Sequence, residues 1–338
     1  MRTFNDHFFL MGRLVVTTLF VALPGVGALA VPCQTDQLAP FGLKPPGPDH
    51  CPDTPNCIVN FKGYEWWTSF QYVGSHYYNS YYYNGGLKTS FAPEHVFIAA
   101  DGLHLKVSND IDLGAGKKWS GAEAVLMFQN SNHINLGYGD YLVTAKVLTT
   151  PSWSTLDPNV AVGLFNYERV GQPATQNGPW PTTGGAQNPN REIDLAEISK
   201  FGNEPGSSQF ATQLWDKSSN SVFRYDAGNN DTVTLVMRWR GSAQPVAFRK
   251  YAGTVTLESL SSRTPASFPW RGPIDKTPAD FMTATPAELN AFIPSTNCER
   301  FHINFWMGNF RGGSNGLNPP PQSPQEVVIT NFEFRPLP

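Results

Sequence analysis

The sequence predicts an all-β fold, a jelly-roll sandwich of two curved antiparallel sheets, and three observations lead there. Of 338 residues only 15% are charged while 13% are aromatic, with 30 Gly and 29 Pro; an ordinary soluble protein is about a quarter charged. That profile lacks the aromatic poverty of a disordered chain, the Ala/Glu/Lys/Leu bias of a coiled coil and the glycine period of collagen. From Asn60 onward, short runs of alternating apolar and polar residues recur between turn signals. Helix signals are scarce. The clearest is Thr285-Pro286-Ala287-Glu288, an N-cap followed by a proline at the first helical position and a Glu at the third. It lies in a Pro-rich insertion from about Arg263 to Asn297.

In chain order, the first feature is the apolar run Leu14 to Ala30, with Arg2 and Arg13 before it and Ala28 and Ala30 at its end. Basic flank, apolar stretch and an A-x-A site define a secretory signal peptide over residues 1–30. Pro24 and Gly25 interrupt the run, and it falls short of the roughly 20 residues that span a bilayer. The mature chain is therefore expected to be secreted, extracellular or cell-wall associated, and free of the membrane. It keeps 22 basic and 26 acidic residues, a formal charge of -4. No basic surface is left for a phosphate backbone, so no nucleic-acid partner is expected.

Residues 31–57 form a Cys/Pro-rich extension holding Cys33, Cys51 and Cys57, with Cys298 far downstream. Four cysteines in a secreted chain read as two disulfides with three open connectivities. No C-x-x-C pair or His cluster accompanies them, so no zinc site is expected. Residues 58–338 show neither repeat nor linker and read as one large domain.

Thirteen strands are predicted: Phe61 to Ser69, Val96 to Ala99, Leu103 to Val107, Ala122 to Phe128, Tyr141 to Leu148, Val160 to Tyr167, Glu192 to Ser199, Gln209 to Trp215, Val222 to Tyr225, Thr232 to Trp239, Val246 to Tyr251, Phe301 to Met307 and Val327 to Phe334. Asp101-Gly102 reads as a hairpin turn. In Phe301 to Met307 the odd positions are apolar and the even ones are His302, Asn304 and Trp306, so one face is core and the other a binding surface.

The most informative segment is Glu192-Ile193-Asp194-Leu195-Ala196-Glu197-Ile198. On a strand, Glu192 and Asp194 share a face while Ile193 and Leu195 enter the core. Strict alternation sends Glu197 to the opposite face. A one-residue bulge near Leu195-Ala196 returns Glu197 to the carboxylate face and Ile198 to the core. Three acids in one row cost stability and raise at least one pKa, an arrangement suited to acid/base chemistry. Retaining hydrolysis of a glycosidic bond needs two carboxyls about 5 to 5.5 Å apart. The alternatives are a solvated acidic edge strand and a calcium site; calcium needs loop oxygens and a glycine turn, whereas this run is interleaved with apolar residues. No metal ligand set is assigned and no cofactor is required; a structural calcium is left open.

The E-x-D-x-x-E motif of Glu192, Asp194 and Glu197 resembles the catalytic signature of glycoside hydrolase family 16, in its laminarinase-like, bulged form. Ala100 to Leu105, Gly137 to Tyr141, Gly163-Leu164-Phe165 and Asn331 to Phe334 fit the same family. The resemblance spans roughly Asn60 to Pro338. It implies a concanavalin A-like jelly roll with a concave substrate cleft, with Glu192 as nucleophile, Asp194 as its helper and Glu197 as general acid/base. Some related members have a shorter E-x-D-x-E form, and the extra residue here weakens any transfer of substrate preference.

Sugars present apolar C–H faces and hydroxyl edges, so their sites pair aromatic platforms with polar donors. Trp119, Gln213, Trp215, His302, Asn304 and Trp306 are the substrate-binding candidates, and most other tryptophans are expected in the core. The Tyr-rich stretch from His76 to Asn84 reads as a rim of the site, with a well-packed extension as the alternative. The partner expected is a polysaccharide, acted on by a monomer. Rival readings are a cell-wall transglycosylase of the same fold, a non-catalytic lectin-like module, and a lyase that needs Tyr/His chemistry.

Overall fold

The two-residue period of Phe301 to Met307 persists in three dimensions. Phe301, Ile303 and Phe305 are buried in a common core, and His302, Asn304 and Trp306 turn to the other face. The same period organises a computed structural model that describes residues 43–44, 58–68, 71–72, 91–110, 119–130, 132–169, 190–200, 208–212, 222–226, 228–240, 246–262, 294, 296, 299–307 and 320–337. All of these lie in one unit, Cys33–Pro338.

The strands are β1 (Leu43–Lys44), β2 (Ile58–Phe61), β3 (Tyr64–Trp67), β4 (Gln71–Tyr72), β5 (Val96–Ala99), β6 (Gly102–Val107), β7 (Ala122–Gln129), β8 (Asn132–His133), β9 (Gly139–Val147), β10 (Val160–Arg169), β11 (Asn190–Ser199), β12 (Ser208–Thr212), β13 (Val222–Tyr225), β14 (Thr232–Trp239), β15 (Val246–Ala252), β16 (Arg300–Met307) and β17 (Gln325–Pro336). A nine-stranded front sheet runs β13-β12-β11-β10-β16-β7-β3-β2, with β8 paired to β7. A six-stranded back sheet runs β15-β14-β9-β17-β6-β5, and β1 pairs with β4 apart from both. Sequence neighbours are often not sheet neighbours: β16 lies between β10 and β7, and β17 between β9 and β6. The two antiparallel sheets form a jelly-roll sandwich.

The core lies between the sheets. The front sheet contributes Leu164, Ile193, Phe210, Phe301 and Phe305, and the back sheet Leu105, Tyr141, Met237, Phe248 and Ile329. Phe210 stacks on Phe248 across the interface at 5.0 Å, and Trp66 meets Phe332 edge-on at 5.1 Å. Such ring pairs contribute about 0.5–1.5 kcal/mol beyond area burial. Trp66, Trp153 and Trp239 are fully buried, as expected of most tryptophans here. A second, small cluster lies on the outer face of the back sheet, where Val255 and Leu257 cover Leu142 and Val236. Glu333 anchors that covering segment by accepting the Leu257 N–H at 2.8 Å.

Two expectations are corrected. The run Phe61 to Ser69 is not one strand but the hairpin β2–β3, because Lys62 and Gly63 both take positive φ (53° and 80°) and reverse the chain. The β5–β6 turn falls on Ala100-Asp101, since Ala99 and Gly102 already pair. The signal segment, the four cysteines, the stretch 76–84 and the helix signal at 285–288 lie outside the described residues.

Candidate active site

The site is built by an irregularity in β11. Against β10, Asp194 pairs with Phe165 and Ala196 with Leu164, leaving Leu195 without a partner. Against β12, Asp194 pairs with Ala211 and Glu197 with Gln209, so Leu195 and Ala196 together oppose only Phe210. This is a β-bulge at the expected place. Leu195 and Ala196 are both fully buried in the core. The partners of Glu192, Asp194 and Glu197 on β10 are Tyr167, Phe165 and Gly163, alternate residues of one face. The three carboxylates therefore form one row on the outer face of the front sheet. Asp194 is fully buried, whereas Glu192 and Glu197 are partly exposed.

The same register assembles the surroundings. A line across the sheet runs Arg224, Gln209, Glu197, Gly163, Asn304, Glu123 from β13 to β7. Gln209 donates its side-chain N–H to Glu197 Oε2. Asn304 lies over Gly163 and accepts its backbone N–H at 3.1 Å. A Cβ at position 163 would come within 2.3 Å of Asn304 Oδ1, so only glycine leaves room for this side chain beside Glu197. The next line runs Asp194, Phe165, His302, Val125, and His302 stacks on Phe165 at 4.8 Å.

Burial raises Glu197 to about 8, the charge of Asp194 adds to the rise, and Gln209 and Arg224 only partly oppose it. Burial likewise raises Glu192 to about 7; a hydrogen bond with Asp194 lowers it and the charge of Glu197 raises it. The row thus keeps a proton at neutral pH, held most tightly at Glu197. Chemically it offers a proton donor and, two positions beyond the buried Asp194, a carboxylate able to ionise.

Of the substrate-binding candidates, His302, Asn304 and Trp306 share the face of the acids. Trp119 is half-buried and packs against the inter-sheet core. Gln213 and Trp215 lie outside the described residues. Sequence reasoning passed over Gln209, Arg224 and Glu123. Gln209 was readable, because it has the parity of Gln213 and Trp215 on the same predicted strand. Glu123 and Arg224 become visible only through cross-strand register. Among the described residues, no group of three or more His, Cys, Asp or Glu could hold a metal ion, and no helix is long and apolar enough to cross a membrane.

No protein-family model and no curated protein matches the chain. Solved structures similar to it include the laminarinase from Rhodothermus marinus, at 14% identity and TM-score 0.47, covering 83% of this chain and 98% of that one. A prokaryotic β-1,3-1,4-glucanase (lichenase) derived from a mouse hindgut metagenome matches at 15% identity and TM-score 0.41, covering 83% and 97%. The laminarinase catalytic domain from Thermotoga maritima matches at 16% identity and TM-score 0.42, covering 73% and 82%.

Proposed function

We propose that the protein is a secreted, endo-acting glycoside hydrolase that cleaves a neutral β-glucan, β-1,3 or mixed β-1,3/1,4, with retained configuration. The observation that carries this reading is the bulge at Leu195-Ala196, which sets three carboxylates on one face with a proton held at Glu197. A solvated acidic strand has no need of a bulge that buries Asp194 between two further acids.

In the first step Glu197 donates its proton to the glycosidic oxygen while ionised Glu192 attacks the anomeric carbon. The C–O bond to the leaving sugar breaks and a glycosyl ester forms on Glu192. Asp194, in its protonated form, donates a hydrogen bond to Glu192 that steadies the carboxylate before attack and as it leaves. Glu197, now ionised, takes a proton from water, and the resulting hydroxyl displaces Glu192 with the configuration restored. Asn304 and Trp306 hold sugar hydroxyls and a ring face beside the reacting unit. The uncharged side chains Gln209, Asn304 and Trp306 suit an uncharged polymer.

The test is a reducing-sugar screen over laminarin, lichenan, agarose and xyloglucan, with the anomeric proton followed by NMR. Release of β-configured ends from laminarin or lichenan is expected, and Glu192→Gln should abolish it. Inverted product, or full activity in Glu192→Gln, overturns the mechanism. Binding of glucan without any release of reducing ends would favour the lectin-like rival.

A further inference from the structure

We propose that Glu123 is a positioning residue that fixes the tautomer and orientation of His302, so that His302 presents Nε2 to a sugar hydroxyl. This rests on the glycan-binding reading above. Glu123 sits on β7 opposite Asn304, in the line that contains Glu197, and is fully buried. Burying a carboxylate is costly unless it is paired. An apolar residue of similar size would fill the same space without that cost.

Glu123 Oε1 lies 3.2 Å from His302 Nδ1. The imidazole is also clamped by rings. It stacks on Phe165 at 4.8 Å with 19° between planes, and meets Tyr167 edge-on at 5.8 Å and 77°. Phe165 and Tyr167 are the residues opposite Asp194 and Glu192. The ring that Glu123 holds is therefore wedged against the two aromatics that flank the acid row.

A carboxylate that accepts in this contact places the proton on His302 Nδ1. Turning the ring over would replace Nδ1 by a carbon and leave the buried carboxylate without this donor. Nε2 is thereby fixed as the free ring nitrogen. A sugar hydroxyl both donates and accepts, and can bond Nε2 in either protonation state. The unit served lies on the β16–β7 side of the acid row, away from Gln209 and Arg224. Glu123 would thus set affinity for the glycan at that position rather than the chemistry at the anomeric carbon.

The experiment compares Glu123→Met, similar in size without a carboxylate, with Glu123→Gln, which keeps an acceptor. Long-range 1H–15N NMR on the full chain without glycan should show the His302 proton on Nδ1 in the wild type and in Glu123→Gln. In Glu123→Met it should redistribute toward Nε2. In hydrolysis of the preferred glucan, Glu123→Met should raise KM by about five- to tenfold with kcat within about twofold, and Glu123→Gln should restore most of the loss. The double variant Glu123→Met/His302→Ala should be no worse than His302→Ala alone. An unchanged tautomer in Glu123→Met, a loss confined to kcat, or losses that add in the double variant would each overturn the proposal. If the wild type neither cleaves nor binds any glucan, the preceding reading fails and takes the sugar half of this proposal with it. The tautomer measurement still decides whether Glu123 sets His302.

Discussion

Asp140 on the back sheet and Glu197 on the front sheet are both carboxylates on the outer face of a packed sheet, and their surroundings treat them oppositely. Asp140 has an arginine directly across on each neighbouring strand, Arg238 on β14 and Arg335 on β17. Arg238 donates through Nε at 2.8 Å and Nη2 at 3.2 Å, Arg335 through Nη2 at 2.7 Å, and Arg240 adds a fourth bond at 3.1 Å. Burial works to raise Asp140, yet the arginine hydrogen bonds and charges hold it below the ordinary carboxylate range. Glu197 has Asp194 on the same face of its own strand and a neutral Gln209 across from it, and burial and repulsion carry it to about 8. The back sheet spends its charges on matching; the front sheet gathers like charges and leaves them in conflict. Conflict of that kind is what acid/base chemistry uses, and matching is what stability uses.

The largest effect expected from breaking this contrast is on turnover. Glu197→Gln and Glu192→Gln should each reduce kcat by about 10³-fold or more, since the proposed general-acid and nucleophilic roles are removed outright. Neither variant should lower the melting temperature, because each relieves repulsion in the row. Asp140→Asn should do the reverse. Activity should stay within about twofold, while unfolding by urea should show a loss of about 2 kcal/mol as the arginines lose their shared carboxylate. If Asp140→Asn abolishes turnover while Glu197→Gln leaves it intact, the division of labour between the sheets is wrong.

Gly163→Ala sharpens the contrast from the packing side. The added methyl must displace Asn304, which now lies where that Cβ would stand. With Asn304 moved beside Glu197, kcat/KM should fall by about ten- to a hundredfold, the penalty of misplacing a group by about 1 Å. Asn304→Ala should give a similar loss and make Gly163→Ala nearly silent. Additive losses in the double variant would show that glycine serves the strand rather than Asn304.

Much of this was legible in the sequence because the decisive signals are local. The alternation from Phe301 to Met307 assigns core and face without knowledge of any neighbour. Glu192, Asp194 and Glu197 demand a bulge merely to keep Ile193, Leu195 and Ile198 in the core. What escaped is what depends on register between distant strands. His302 and Glu123 lie 179 residues apart in sequence, and Arg335 and Asp140 lie 195 apart. No local pattern says which residue will stand opposite which. The β2–β3 hairpin escaped for another reason: Lys62 has to adopt positive φ, which a lysine does not advertise.

The most direct reading of the contrast is the pH dependence of stability. Glu197 binds its proton more tightly folded, near 8, than at its ordinary value of 4.5. Its contribution is therefore fully present below about 4.5 and is lost as pH rises through 8, by at most about 1.4 kcal/mol per pH unit. Asp140 is shifted downward, so its contribution is present above 3.8 and is lost as pH falls through its lowered folded value. Unfolding free energies measured from pH 4 to 9 should make Glu197→Gln increasingly more stable than wild type toward pH 8, with the two converging near pH 4. Asp140→Asn should differ most from wild type at neutral pH and least in acid. Activity follows the same titrations: kcat/KM should peak between about 7 and 8, falling below as Glu192 takes up a proton and above as Glu197 loses its own. A wild-type stability that rises between pH 5 and 8 by as much as the Glu197→Gln curve would mean that the row holds no proton in the folded state. The acid/base assignment would fail with it, whatever the fold.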